Sequence, residues 1–452
     1  MSEMPPRTSL KTFLSTARAA LTAPSSRRAT PLTFVVGNES ADLDSLCSAL
    51  LLAYFRTYSP TAKRAPAGNH ESRGITNTLH IPICHLQRAD LALRPEFAAV
   101  LRDADVKGED VFTLEDVLSN KKHGIRPEDT RWLLVDHNAM TGTLGKVFGS
   151  RVFGCVDHHA DEDVVPRDAE IRVIEKSGSC MSLVVERYAD SWKALSSKAN
   201  NSSTHQNGSE HTNSTSETSK IDAQLARLAL APILIDTTNL GDKNKTTAHD
   251  ERAVELAEGK IAAHAEKGED GEGEGERYDR NAFFKRIMDL KEDIADMSFR
   301  DVFRKDYKEW WIEGARDLGL GTSSVPRGFD YLVDTKSSGD AAVFVDALKD
   351  WGEEKDEQGK MDLVVVLTGF QDANGKFRRE LLVWARSEAG VRAAKLFEEK
   401  WADKLGLETW RDGALDLKGD EWRRCWAQRA VEHSRKQIAP MLRDALKEIA
   451  GG

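Results

Sequence analysis

Between Leu32 and about Leu240, strand-like apolar runs alternate with helical patterns, and four of those runs end in a short acidic patch. LTFVV leads into Gly37-Asn38-Glu39-Ser40-Ala41-Asp42-Leu43-Asp44, and RWLLV into Asp136-His137-Asn138. RVFGCV leads into Asp157-His158-His159, and LAPILI into Asp236-Thr237-Thr238. Such alternation reads as βαβ units around a parallel sheet. In open sheets of this kind, ligands bind at the carboxyl ends of the strands. Carboxylates and imidazoles gathered there are unfavourable unless something positive binds them. The pattern therefore points to a metal-dependent hydrolase.

The remaining elements follow from periodicity. Ser45–Tyr58 reads as a helix, residues 79–86 as a strand, and Pro95–Asp103 and Thr113–Asn120 as helices. Ile171–Ile174 is a short strand and Ser182–Lys193 a helix. Ser196–Lys220 is dominated by Ser, Asn and Thr, too poor in apolar surface to order itself, and reads as a disordered insertion. A second, acidic and Gly-rich insertion spans Glu266–Glu276. The expected organisation is a first α/β domain over 30–245, a helical linker over 246–284, and a smaller α+β domain over 285–452. In the last, Leu363–Thr368 and Glu380–Trp384 flank a turn at Ala373–Lys376 and read as a hairpin, and a long helix covers Arg435–Ile449.

Composition narrows the function classes. A net charge of −10 argues against general nucleic-acid binding, though not against a local basic pocket. No apolar run is long enough to span a bilayer. Five cysteines without a CxxC pair fit a reducing, cytoplasmic setting. Met4–Pro31 lacks acidic residues and carries Arg7, Lys11, Arg18, Arg27 and Arg28, a composition compatible with a mitochondrial transit peptide. It suits better an amphipathic helix with Leu10, Phe13, Leu14 and Ala17 packed on the first domain. No secretory apolar region is present to bring the sequons near Asn201, Asn207 and Asn213 into use.

Each patch has its own chemistry. In an extended segment Asp42 and Asp44 face the same side; alternatively Ser40 or Asp44 caps the following helix. His137 and Asn138 add polar groups beside Asp136. Adjacent histidines at a strand end place one ring on each side, so one ligates metal and the other meets substrate, with Asp157 orienting an imidazole. Asp236 completes a set of carboxylates and imidazoles suited to Mg²⁺ or Mn²⁺. Two ions roughly 3.5–4 Å apart sharing a carboxylate activate water for in-line attack on phosphorus. Cys155 reads as a core cysteine. The basic clusters Phe303–Lys308, Arg378-Arg379 and Ser434–Gln437 read either as solvated charge or as phosphate clamps.

The ordered series GNESADLDS, VDHN, DHH and IDT resembles the Asp-His-His (DHH) phosphoesterase superfamily. SRKQ and RKDYKEW resemble second-domain motifs of its pyrophosphatase branch. GNESADLDS, SGSC, KDYK, RREL and RKQ-x-x-P are most similar to the fungal cytosolic exopolyphosphatases, with family II pyrophosphatases and prune-like proteins as further kin. The resemblance spans about residues 30–450. It implies a parallel-sheet DHH domain, a DHH-associated second domain and an active site in the cleft between them. It further implies metal ligation by Asp42, Asp44, Asp136, His158 and Asp236, with Asp136 bridging. His159 would touch the phosphoryl group under attack, while Lys308, Arg435, Lys436 and, less specifically, Arg379 bind phosphate. Asp136, His159, Arg435 and Lys436 are thus the implied catalytic groups, with Asn38 and His137 beside the substrate.

The implied activity is release of orthophosphate from the end of inorganic polyphosphate by a monomer. The alternatives are a pyrophosphatase or short-chain polyphosphatase, and a prune-like regulatory protein. The GGxH stretch of the superfamily's nucleases is absent. Asn38 stands where the pyrophosphatases carry a histidine ligand. An amide oxygen is harder than an imidazole, so Mg²⁺ is expected to serve better than Mn²⁺ or Co²⁺.

Overall fold

A computed structural model describes residues 7–59, 79–118, 124–198, 210–265, 278–313, 317–356, 359–417 and 422–451. The chain divides into two units, Met1–Leu290 and Lys291–Gly452.

In the first unit, strands β1 (Leu32–Val36), β2 (His80–Ile83), β3 (Thr130–Val135), β4 (Val152–Asp157) and β5 (Ile171–Ile174) form one sheet. Their order is β2-β1-β3-β4-β5 and every pairing is parallel. The order reverses between β1 and β3, which opens a crevice at their carboxyl ends. Asn38 follows β1 and Asp136 follows β3, so both stand at that switch point.

The helices of this unit are α1 (Leu10–Thr22), α2 (Leu43–Tyr58), α3 (Pro95–Asp103), α4 (Leu114–Leu118), α5 (Gly142–Phe148), α6 (Cys180–Arg187), α7 (Ala189–Lys198), α8 (Glu210–Asp236), α9 (Ala248–Ala265) and α10 (Arg280–Glu292). In α2 every residue except Arg56 is buried, so the helix is a rod inside the core. Truncating a leucine there, such as Leu51→Ala, would cost about 2–5 kcal/mol. That rigidity matters because α2 carries Asp44 and Ser45. In α1, Leu10, Phe13, Leu14, Ala17 and Leu21 are buried, as the amphipathic reading requires.

Three expectations need correction. LAPILI is not a strand: it is the last part of α8, buried against α2 and α9. A short apolar run enclosed on several sides has no periodicity to separate strand from helix. The Ser/Asn/Thr-rich stretch is helical from Glu210 onward as part of α8, while its residues 199–209, with Asn201 and Asn207, lie outside the described residues. Ser182–Lys193 is divided between α6 and α7. The acidic insertion Glu266–Glu276 also lies outside the described residues.

The second unit is built on β6 (Tyr307–Ile312), β7 (Leu318–Val325), β8 (Met361–Thr368), β9 (Phe370–Gln371), β10 (Phe377–Ala385), β11 (Leu407–Thr409) and β12 (Trp422–Gln428). The main path is β11-β12-β10-β8-β7-β6, in which only β7 and β8 are parallel. The helices are α11 (Phe299–Lys305), α12 (Ala341–Lys355), α13 (Glu388–Leu405) and α14 (Arg435–Gly451). Side chains alternate along β8. Leu363 and Val365 join the core with α13 and α14, while Val364 and Val366 join that with α11 and α12. The β8/β10 pairing is antiparallel, as the hairpin reading requires. Among the described residues no helix is long and apolar enough to cross a membrane. All five cysteines are free and buried.

Candidate metal centre

Asp136 is the centre of the arrangement. Its backbone takes a left-handed conformation, φ +62°, uncommon for a residue with a side chain. The amide still pairs with the Val156 carbonyl at 2.9 Å. The turn directs the carboxylate into the switch point, where it is buried. Asn38 Nδ2 donates to Asp136 Oδ2 at 2.8 Å and to the Asp136 carbonyl at 3.1 Å. Ser45 Oγ donates to the same Oδ2 at 2.6 Å and accepts from Asn38 N at 3.1 Å. Gly37 makes this closeness feasible, because a Cβ there would sit 2.6 Å from Ser45 Cβ. The Asn38 oxygen accepts from Ser40 N at 2.8 Å, so it is the amide nitrogen that faces Asp136.

The other oxygen, Oδ1, lies 3.2 Å from His158 Nε2 and 3.7 Å from His159 Nδ1. The ligand atoms of these three residues all fall within 4.8 Å of one another. His158 Nδ1 is 3.0 Å from the Ser177 carbonyl and, as the donor there, leaves Nε2 as an acceptor pointing at a carboxylate oxygen. Two acceptors facing each other require a cation between them. In the chain alone that cation is a proton. Burial disfavours it, yet Asp136, Asp44 and Asp236 together raise the His158 pKa to about 10. A divalent ion satisfies the same pair, so the donor set fits a metal.

The histidines do not sit on opposite sides, as adjacency at a strand end suggested. Their rings are 4.5 Å apart at 85° and share Asp136. The reason is Asp157, whose Oδ1 accepts from the amides of His158 (2.8 Å) and His159 (3.2 Å) and from His159 Nδ1 (2.8 Å). Its Oδ2 accepts from Asn138 Nδ2 at 2.6 Å. Although burial opposes ionisation, these donors hold the Asp157 pKa near 2. Asp157 is therefore an anionic brace and Asn138 its partner. His137 Nδ1 pairs with the Val135 carbonyl at 3.0 Å, and burial lowers its pKa to about 4.

Asp42 and Asp44 do not share an extended segment either. Asp42 is the N-cap of α2, accepting from Ser45 N at 3.0 Å. Asp44 is inside the first turn and buried, with Oδ1 taking Ser48 Oγ (3.0 Å), Ser179 Oγ (2.9 Å) and Met181 N (3.0 Å) and Oδ2 taking Cys180 N (2.6 Å). Burial, Asp136 and Asp42 push its pKa up to about 7, against the pull of His158. Asp236 ends α8, half-buried, and its charge acts on His158. Asp42, Asp44, Asp136, His158 and Asp236 thus act on one another across one site.

Residues 33–233 match the DHH family, N-terminal domain, and residues 285–445 match the DHHA2 domain. The chain thus carries a DHH domain followed by a DHHA2 domain. Over 444 residues it is 29% identical to a Schizosaccharomyces pombe protein named "Putative exopolyphosphatase", covering 98% of this chain and 97% of that one. Human and rat Exopolyphosphatase PRUNE1 are each 22% identical to it, over 97% of this chain and 79% of theirs. DHH phosphoesterases are metal-dependent, and the Asp136–His158–His159 cluster is where this DHH domain could hold an ion.

In the DHHA2 domain the cations expected at phosphate are dispersed over three elements. Lys308 is half-buried on β6. Arg435 opens α14, its guanidinium donating to the Asp306 carbonyl (2.9 Å) and Oδ1 (2.7 Å). Lys436 is exposed beside it. SRKQ is also a capping box, with Ser434 N donating to Gln437 Oε1 at 2.9 Å. Arg379 on β10 donates to the Val431 carbonyl at 2.7 Å and lies over the Phe377 ring. Arg378 is tied to Asp372 of the hairpin turn at 2.7 Å. Ser45 and Ser179 lie in the quoted motifs GNESADLDS and SGSC but received no role of their own there, and Asp250 escaped the sequence reading. Thr247-x-x-Asp250 carries a capping signature, but nothing local links it to the DHH motif.

Proposed function

We propose that this protein is an exopolyphosphatase that hydrolyses the terminal phosphoanhydride of inorganic polyphosphate and releases orthophosphate. The observation that carries the reading is the Asp136 Oδ1–His158 Nε2 pair, two acceptors 3.2 Å apart with further carboxylates acting on them. Asp42, Asp44, Asp136, His158 and Asp236 would supply the ligands for divalent ions, with Asp136 as the central carboxylate. Bound there, the ions would lower the pKa of water toward neutrality and neutralise phosphoryl oxygens. Asn38 and Ser45 fix the Asp136 carboxylate. Asp157 fixes His159 through Nδ1, so that its other nitrogen would meet the phosphoryl group under attack. Arg435 and Lys436, at the amino end of α14, would meet anionic oxygens with both side chains and helix dipole. Lys308 and Arg379 would extend the grip along the chain.

The kinship with proteins named as exopolyphosphatases supports polyphosphate as the substrate. Mg²⁺ is the ion we expect to sustain turnover, with Mn²⁺ or Co²⁺ as replacements, in a monomeric cytoplasmic enzyme. The test is phosphate release from pyrophosphate, tripolyphosphate and long polyphosphate with Mg²⁺ and Mn²⁺ compared. Preference for long chains is the expected result. Preference for pyrophosphate would make the protein a pyrophosphatase, and no turnover of any of them would leave a regulatory binding protein.

A further inference from the structure

Asp250 is buried in the first turn of α9 and collects five hydrogen bonds. Two come from Thr247, whose N and Oγ1 lie 2.7 and 2.8 Å from Oδ2, and these suffice to cap the helix. Three come from a distant segment: Gly178 N (2.9 Å), Ser179 N (3.2 Å) and Ser182 Oγ (2.6 Å). Capping does not require them.

That distant segment is the one that holds the metal centre. The Ser177 carbonyl takes His158 Nδ1, while Ser179 Oγ, Cys180 N and Met181 N all donate to Asp44. Gly178 is pinned in the turn, since a Cβ would lie 2.5 Å from Thr237 Cγ2 and 3.0 Å from Asp250 Oδ2. One carboxylate thus gathers the turn that orients two of the expected metal ligands.

We propose that Asp250 is a positioning residue of the metal centre, acting through residues 177–182 to aim His158 and Asp44 and so to set divalent-metal affinity. The assignment rests on the metal-dependent reading above. Outer hydrogen-bond partners of metal ligands typically contribute about 10–100-fold in affinity. Asp250 is one link further out, so about tenfold is expected. In Asp250→Asn an amide hydrogen would replace an acceptor that now faces several donors.

The experiment titrates Mn²⁺ calorimetrically into the metal-stripped full chain of wild type, Asp250→Asn, Ser182→Ala and Asp136→Ala. Thermal melting in EDTA and the Mg²⁺ dependence of phosphate release are followed beside it. Expected are Mn²⁺ binding about tenfold weaker in Asp250→Asn and a smaller loss in Ser182→Ala. The Mg²⁺ needed for half-maximal rate should rise in parallel, and saturating Mg²⁺ should restore the rate. A lowered melting temperature with wild-type Mn²⁺ affinity would reduce Asp250 to a helix cap and overturn the proposal. If Asp250→Asn does not fold, wild-type affinity in Ser182→Ala overturns it. If Asp136→Ala binds Mn²⁺ like wild type, the metal reading itself falls. If Asp136→Ala loses Mn²⁺ while both outer variants keep it, only the Asp250 assignment falls.

Discussion

The DHH domain buries Asp44, Asp136 and Asp157 and surrounds each with several donors, whereas the DHHA2 domain leaves Lys308, Arg435 and Lys436 half-buried or exposed. The contrast matches the two tasks proposed for these groups. Metal ligands must be held to a fraction of an ångström, so their freedom is removed by hydrogen bonds and by a rigid carrier such as α2. A grip on a polyanion needs positive potential and reach more than fixed geometry. Changes in the first region should therefore act on metal affinity and rate, and changes in the second on substrate affinity and its salt dependence.

The largest effect tests the first half of this contrast. Asp136→Ala removes the group that Asn38, Ser45, His158 and His159 all address. Phosphate release should fall by about 10³-fold or more, since one preorganised group alone can supply that much. An unchanged residual rate would break the contrast by placing catalysis elsewhere. Arg435→Ala tests the other half. Loss of a charged hydrogen bond should cost about 1.5–3 kcal/mol, raising KM for long polyphosphate by roughly 10–100-fold with kcat less affected. The log–log dependence of affinity on salt should become shallower by about one. A fall in kcat at unchanged KM would mean that Arg435 serves the transition state rather than the grip.

Asn38→His sharpens the boundary between holding a ligand and being one. The amide nitrogen now braces Asp136 while the oxygen is occupied by Ser40 N. An imidazole would give up that brace and offer a softer nitrogen. Mn²⁺ affinity should rise about tenfold relative to Mg²⁺, measured by calorimetry on both proteins. Unaltered selectivity would assign Asn38 to positioning alone.

Much of this was legible in the chain. All five parallel strands of the first sheet were legible as short apolar runs, and three of them, β1, β3 and β4, also by the polar residues at their ends. LAPILI was misread because burial on several faces erases period. Pro232 within it disfavours a strand interior and a helix interior alike, so it does not decide between them. Asp42 is extended as expected, but Asp44 was placed with it because capping and strand-end aspartates look alike until the helix start is fixed. Asp157 as the group that orients an imidazole was legible, since His158 and His159 are its chain neighbours, whereas the link from Asp250 to Asp44 runs through pairs far apart in sequence, which no local pattern encodes.

The smallest effect concerns protons. Without metal, burial and the charges of Asp136 and Asp42 place Asp44 near pH 7, while the charges of Asp136, Asp44 and Asp236, against burial, place His158 near pH 10, both above ordinary values. Groups whose pKa is raised by folding stabilise the fold below their unfolded pKa and lose that contribution as pH rises through the folded value. The metal-free protein should therefore lose melting temperature from about pH 4 to 7 through Asp44 and further toward pH 10 through His158. A divalent ion takes over the positive charge, so Mg²⁺ should raise the melting temperature more at pH 8 than at pH 6. Binding should release protons, seen as a calorimetric enthalpy that varies with the ionisation enthalpy of the buffer. The DHHA2 cations predict no such coupling to metal. If Mg²⁺ binding released no proton at pH 7, the facing acceptors Asp136 and His158 would not be the pair the ion satisfies.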